Sequence, residues 1–161
     1  MEVTRVIPAP LDRVWEVFTD LARRPAWLSD VESVEVLTPG PFGAGTRWRE
    51  TRVGPDGPAV EELVVTAVAT VEDVGRSCTI ELADTGTGQM TYVFVPVEIG
   101  SQRGGTAVAV TAEARPHGLT HLLLAFFVGT FAARTAEGAL REELDAFAAA
   151  CVAGETAGNA A

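Results

Sequence analysis

Residues 6–37 read VIPAPLDRVWEVFTDLARRPAWLSDVESVEVL, and the order of parts from which the fold follows starts in this stretch. Just upstream, Val3-Thr4-Arg5-Val6-Ile7 alternates as a strand does, so Glu2 to Ile7 is read as the first strand. Pro8 and Pro10 close it, and Pro10 suits the first turn of a helix, where a missing backbone N–H leaves no hydrogen bond unmade. Leu11, Val14, Trp15, Phe18 and Leu21 then recur at helical spacing as one apolar stripe, with Asp12, Arg13, Glu16 and Asp20 on the other side. A helix is therefore expected from Pro10 to about Leu21. Ala22 to Leu28 reads as a second short helix or turn interrupted at Pro25, and Val31, Val34 and Val36 begin the second strand.

Working outward, Thr38 to Gly45 holds Pro39, Pro41 and three glycines and reads as a loop. Thr46 to Val53 and Ala59 to Thr70 read as strands joined by the turn Gly54-Pro55-Asp56-Gly57-Pro58. Ser77 to Leu82, Gln89 to Val97 and Thr106 to Ala114 are three more, with polar, glycine-rich connectors between them. No helix separates one strand from the next, so the sheet is expected to be antiparallel throughout. Arg115-Pro116-His117-Gly118 ends it, and one long helix is expected from about Leu119 to Val152. Such a helix has a large apolar face to bury, and a curved sheet wrapped around it is the simplest cover. A sheet cannot close fully on a helix, so a cavity between them is expected. The expected fold class is α+β, as one domain over 1–153 with a frayed tail at 154–161.

Composition narrows the function classes. The 161 residues suffice for one domain with a substantial core, and 47% apolar with 21% charged is ordinary for a globular protein. A net charge of −10 argues against nucleic acid and against an anionic membrane surface as partners. All twelve basic residues are Arg, which excludes a Schiff-base lysine mechanism. Cys78 and Cys151 are too few for a disulfide framework or a cysteine zinc site and read as buried or half-buried free thiols. The opening MEVTRVIPAP has neither a basic region nor a long apolar run, and Leu122 to Ala133 is shorter than the ~20 residues a membrane span needs. The expected location is the cytoplasm.

Three stretches carry a family resemblance: residues 6–37, GAGTRWRETR at 43–52, and ALREELDAF at 139–147. With the order β-α-α-β6-α, from Glu2 to about Val152, the chain resembles the START-like, helix-grip superfamily in its polyketide cyclase/dehydrase-like (SRPBCC) branch. The resemblance implies a seven-stranded antiparallel sheet gripping the last helix, with an apolar ligand cavity between them. Members include lipid carriers, hormone receptors and aromatase/cyclases. No catalytic motif is shared across the superfamily, so the resemblance transfers no catalytic residue; no cofactor is expected.

The residues themselves suggest a lining for such a cavity. Alternation puts Met90, Tyr92 and Phe94 on one strand face, and large flexible and aromatic groups suit an adaptable apolar pocket. Trp48, Val108 and Val110 on other strands, and Leu122, Phe126 and Thr130 on the last helix, complete the expected ligand-binding set. On that helix Leu119, Leu122, Phe126, Ala133, Leu140, Leu144 and Phe147 form the stripe that faces the sheet. A second set, Leu124, Phe127, Val128 and Phe131, lies well around from it. That set either packs under the Thr38 to Gly45 loop or the short second helix, or forms a homodimer seam or an apolar pocket entrance.

Candidates for chemistry are Glu50, Glu62, Tyr92 and His121. With a turn centred on Asp56, Glu50 stands opposite Glu62, Trp48 opposite Val64 and Arg52 opposite Val60. In a dry cavity one of two facing carboxylates keeps its proton and can act as general acid, with the other as base. On a wet face Arg49, Arg52 or solvent holds both. His117 and His121 are four apart, but no third ligand is evident and no HExxH is present, so no metal site is expected. His121 is either a polar group at the cavity mouth or a surface residue. GxSxG, GxGxxG and P-loop patterns are absent. Binding of a small apolar molecule, as carrier or sensor, leads. A cyclase, dehydratase or aromatase-type enzyme comes second, and a protein-interaction module using the apolar first half of the last helix third.

Overall fold

In a computed structural model, described here over residues 1–54, 57–72, 74–83, 88–98, 100–114 and 137–153, the two prolines divide strand from helix as expected. Strand β1 (Glu2–Ile7) ends where Ala9 N donates to Ile7 O at 2.8 Å, and extended Pro10 precedes helix α1 (Leu11–Thr19). Helix α1 buries Val14 and Phe18 from its apolar stripe. The second short helix is a 3₁₀ turn, Leu21–Ala26, with Pro25 inside it. Proline has no backbone N–H to give and interrupts an α-helix, and a short 3₁₀ turn is a common connector at such a point.

Six strands follow: β2 (Val31–Val36), β3 (Arg47–Gly54), β4 (Gly57–Val71), β5 (Gly75–Leu82), β6 (Gly88–Pro96) and β7 (Thr106–Ala114). They form one antiparallel sheet in the order β1-β7-β6-β5-β4-β3-β2, open at its two edge strands. Residues 137–153 are helical and are called α2. This is the helix-grip architecture. The first half of the last helix, with His121, Leu122, Phe126, Thr130 and the dimer-seam set Leu124, Phe127, Val128 and Phe131, lies outside the described residues, as does the tail at 154–161.

The β3–β4 register corrects one expectation. Gly54 pairs with Gly57, leaving two residues between them, so Glu50 stands opposite Glu61, Trp48 opposite Leu63 and Arg52 opposite Ala59. Gly57 has φ +103°, a value that L side chains rarely adopt, and it permits the tighter turn. A one-residue shift moves each residue of β4 to the other face relative to β3. Glu62 therefore pairs across with Arg49, not with Glu50.

The core lies between the concave face of the sheet, α1 and α2. Phe18 is its hub, with ring centroids 4.9 Å from both Tyr92 and Phe94, 6.0 Å from Phe42 and 6.2 Å from Phe147. Fully burying an aromatic side chain of this kind contributes about 2–3 kcal/mol. From α2, Leu140, Leu144 and Phe147 are buried in the core, on the stripe the sequence predicts, and Cys151 is buried one turn further along, where its carbonyl accepts from Arg13 of α1. Arg5 to Asp145 at 3.1 Å ties α2 to the edge strand β1.

Candidate functional site

Alternation along β3 turns Trp48, Glu50 and Arg52 toward the concave face, and Trp48 and Glu50 are fully buried there. A buried carboxylate is tolerated only when its oxygens are paired. Glu50 Oε1 accepts from Arg24 Nε at 2.6 Å and from Trp48 Nε1 at 2.8 Å, while Oε2 accepts from Arg52 Nε at 3.1 Å. Arg24 reaches inward from the 3₁₀ turn and is 5% exposed. Glu143 of α2 closes the cluster, 3.6 Å from Arg24 Nη2 and 3.7 Å from Arg52 Nη2. Arg52 Nη1 also donates to Asp30 at 2.7 Å, just before β2. Turn, strand and helix thus meet at one buried set of charges.

The cluster sets the electrostatics of its surroundings. Burial works against the charge of Arg52, but Glu143, Glu50 and Asp30 outweigh it and hold the guanidinium above its ordinary pKa. Burial, with Glu143 next, pushes the Tyr92 phenol well above its usual value, and Arg24 and Arg52 offset part of that rise. The Tyr92 hydroxyl donates to the Met90 sulfur at 3.6 Å, a weak acceptor. A groove of about 200 Å³ outside the cluster is lined by Leu28, Asp30, Arg52, Ala139, Glu143 and Ala146. A second, of about 540 Å³, runs between α1, the turn and α2 past Arg13, Asp20, Arg23 and Trp27.

Six expected lining residues share the concave face. Phe94 pairs with Val108, Tyr92 with Val110 and Met90 with Ala112, and Trp48 faces inward from β3. Their burial is graded along the strands. Trp48, Phe94, Val108 and Val110 are fully buried, Tyr92 is 5% exposed, and Met90 is half-buried beside half-buried Leu82 and Ala112. Glu62 stands apart on the convex face, accepting from Arg47 at 2.8 Å and Arg49 at 3.2 Å. Those hydrogen bonds hold its carboxyl below the usual range. The two carboxylates expected to act together therefore point to opposite sides of the sheet.

Sequence reasoning named Arg52 as a group that could hold Glu50, but it did not find Arg24, which binds the same carboxylate, or Glu143, which lies beside both guanidinium groups. Arg52 was legible because it shares the parity of Glu50 on β3. Arg24 gave no signal, because a 3₁₀ turn has neither the strand nor the α-helical period. Glu143 sits beside Leu144 on the polar half of α2, where a solvated carboxylate is the ordinary outcome. Among the described residues no group of three His, Cys, Asp or Glu is placed to hold a metal, and no helix is long and apolar enough to cross a membrane.

Solved structures share the fold at low sequence identity. TTHA0849 from Thermus thermophilus is 23% identical with a TM-score of 0.68, over 96% of this chain and 97% of that one. The STAR-related lipid transfer protein from Xanthomonas axonopodis is 17% identical with a TM-score of 0.66, over 93% of this chain and 84% of that fragment. The di-domain ARO/CYC StfQ of the steffimycin biosynthetic pathway is 16% identical with a TM-score of 0.63, over 97% of this chain and 46% of that one. No curated protein matches the sequence significantly. The family described as polyketide cyclase / dehydrase and lipid transport matches residues 1–152, and the chain belongs to it.

Proposed function

We propose that the protein binds a small apolar molecule between the concave face of the sheet and the last helix, as a carrier or sensor. The graded burial of that face supports this reading most directly. The end beneath α1 is packed solid around Phe18 and Phe94, and apolar side chains continue past it to half-buried Leu82, Met90 and Ala112. An apolar surface that continues beyond its own packing suits an apolar guest. Family membership supports the same class of ligand.

A cyclase or dehydratase is the alternative, with Glu50, Tyr92 and His121 as its remaining acid/base candidates. The surroundings of Glu50 favour the binding reading. Three donors already occupy its two oxygens, so it holds Arg24, Trp48 and Arg52 in place and has little room to serve a substrate.

Native mass spectrometry of freshly purified protein tests the proposal, together with titration of the apolar dye Nile red. The expected result is a co-purified small molecule released on denaturation, or saturable dye binding that Met90→Trp weakens at least tenfold with the fold intact. A protein that carries no adduct and binds no dye would sink the reading.

A further inference from the structure

We propose that two copies of this chain associate through the uncharged half of the convex face of the sheet, across β4, β5, β6, β7 and β1. Tyr92 and Phe94 are buried, so Thr91, Val93 and Val95 of β6 point away from the core, and Val93 and Val95 are 39% and 40% exposed. The register places Ala109 and Thr4 beside Val93 on one side, and Ser77 and Ala69 on the other. The next row runs Val71, Gly75, Val95, Ala107 and Val6. On the opposite side lie Ala67, Thr79, Thr91 and Thr111, ending at Glu2 on the sheet edge.

Apart from that edge position, no residue of the three rows carries a charge, although 21% of the chain is charged. The other half of the same convex face is the reverse. There Arg47, Arg49, Glu35 and Glu62 form a run of ion pairs. Solvation of the sheet therefore does not by itself require the uncharged half.

The charge pattern around this patch suits a second copy of the chain. Each copy carries a net −10, so copies repel across any surface that presents carboxylates to carboxylates. Arg103 is exposed in the turn that ends at Gly104, at one end of the β6–β7 pair, and Glu113 is exposed on β7 at the other end. A two-fold axis lying in the interface, across the strands at the Val93–Ala109 row, reverses the strands of the second copy. It brings Arg103 of each copy over Glu113 of the other, a self-complementary contact of the kind two-fold symmetry requires. An axis along the strands would instead oppose Glu113 to Glu113.

Alanine and threonine rows let two sheets approach to the ~10 Å of face-to-face packing. Five strands ~4.8 Å apart and three rows ~6.8 Å apart outline roughly 500 Å² per copy. That is at most about 1,000 Å² in all, the size of a weak, concentration-dependent association. At the β4–β5 corner this axis brings Glu72 toward Glu81, a like-charge approach that weakens the outer edge of the contact. The contact is therefore centred on β6 and β7.

Sedimentation velocity over a concentration series from micromolar to hundreds of micromolar tests the proposal. Wild-type protein should shift from the 16.9 kDa monomer to a dimer as concentration rises. Val93→Arg sets two guanidinium groups against each other at the axis and should remain a monomer throughout, with an unchanged circular dichroism spectrum. Arg103→Glu should weaken association at least tenfold, and Arg103→Glu with Glu113→Arg should restore it. A wild-type chain that stays monomeric overturns the proposal, as does a Val93→Arg chain that still dimerises. Failure of the double variant to recover overturns the antiparallel arrangement.

Discussion

Arg24 Nε lies 2.6 Å from Glu50 Oε1, and neither side chain exposes more than 5% of its surface. The pair joins a 3₁₀ turn to a central stretch of β3, with the two partners 26 positions apart in sequence. Neither charge could be buried alone, so each fixes the other's position. Glu143 extends the same constraint to α2, at distances too long for good hydrogen bonds. The helix is thus tied to the polar end of the concave face more loosely than the turn is.

Glu50→Gln is expected to destabilise the protein by about 3–5 kcal/mol, the usual result of removing one partner of a buried ion pair. Glutamine keeps the size and an acceptor for Trp48 Nε1 but leaves the Arg24 charge buried, with Glu143 at 3.6 Å as the carboxylate near it among the described residues. Replacing both partners, as Arg24→Leu with Glu50→Leu, should recover part of the loss, because no uncompensated charge remains. Urea midpoints at unchanged m-value would measure both variants. A Glu50→Gln protein within about 1 kcal/mol of wild type, the worth of a surface pair, would show that the cluster is solvated.

Glu62 should shape the acid limb of stability. Arg47 and Arg49 hydrogen-bond its carboxylate and lower its pKa below the ordinary 4.5 in the folded state. A carboxyl depressed by folding contributes stability that is complete above its unfolded pKa and is lost as pH falls through the folded one. Glu62→Gln should therefore flatten the fall in stability below about pH 4.5 and lower stability modestly at pH 7. Chemical denaturation at a series of pH values would check it. An acid limb as steep in the variant as in wild type would count against these ion pairs.

These two acids show where sequence is readable and where it is not. Pro8, Pro10, Pro25 and the glycine-rich connectors mark breaks that depend only on local backbone geometry, and the strands fall within about two residues of their expected ends. Parity within a strand is equally local, so Met90, Tyr92 and Phe94 share a face as read. Register between strands is not local. It turned on whether two or three residues close the β3–β4 turn, and that single residue separates Glu50 from Glu62. Arg24 reaches Glu50 from a turn remote in sequence, Glu143 reaches Arg24 from a helix more remote still, and only the assembled fold brings the three together.

Cys78 and Cys151 are expected to be inert in the native state. Burial pushes both thiols up to about 12, with Arg13 offsetting part of the rise at Cys151. At pH 8 the thiolate fraction is then on the order of one in ten thousand, too little for attack on a disulfide reagent. Native protein should leave Ellman's reagent unreacted, and both thiols should react once urea unfolds it. These groups are neutral when folded and ionise near their ordinary value of 9.0 when unfolded, so stability should hold below about pH 9 and fall as pH rises toward 12. Rapid labelling of folded protein at pH 8 would contradict the burial of both side chains.

Gly75→Ala should be among the most damaging single-methyl additions to this fold. Gly75 opens β5 at φ +153°, and a Cβ there would collide with the Phe94 carbonyl oxygen and lie 3.5 Å from Val95 Cα. The obstruction is backbone, and Phe94 cannot retreat: its side chain is fully buried, and its neighbours across the sheet are Arg76 and Val108. Gly57→Ala supplies the control, since Gly57 has φ +103° and its Cβ would meet nothing within 4 Å. Backbone strain alone costs about 1–3 kcal/mol at either position. Gly75→Ala adds the collision, worth about 1–3 kcal/mol more as overpacking. Parallel urea unfolding of the two variants separates the effects. Equal losses would mean that β5 and β6 spread apart at little cost, and that the Gly75–Phe94 approach does not fix the spacing of the sheet beside the core.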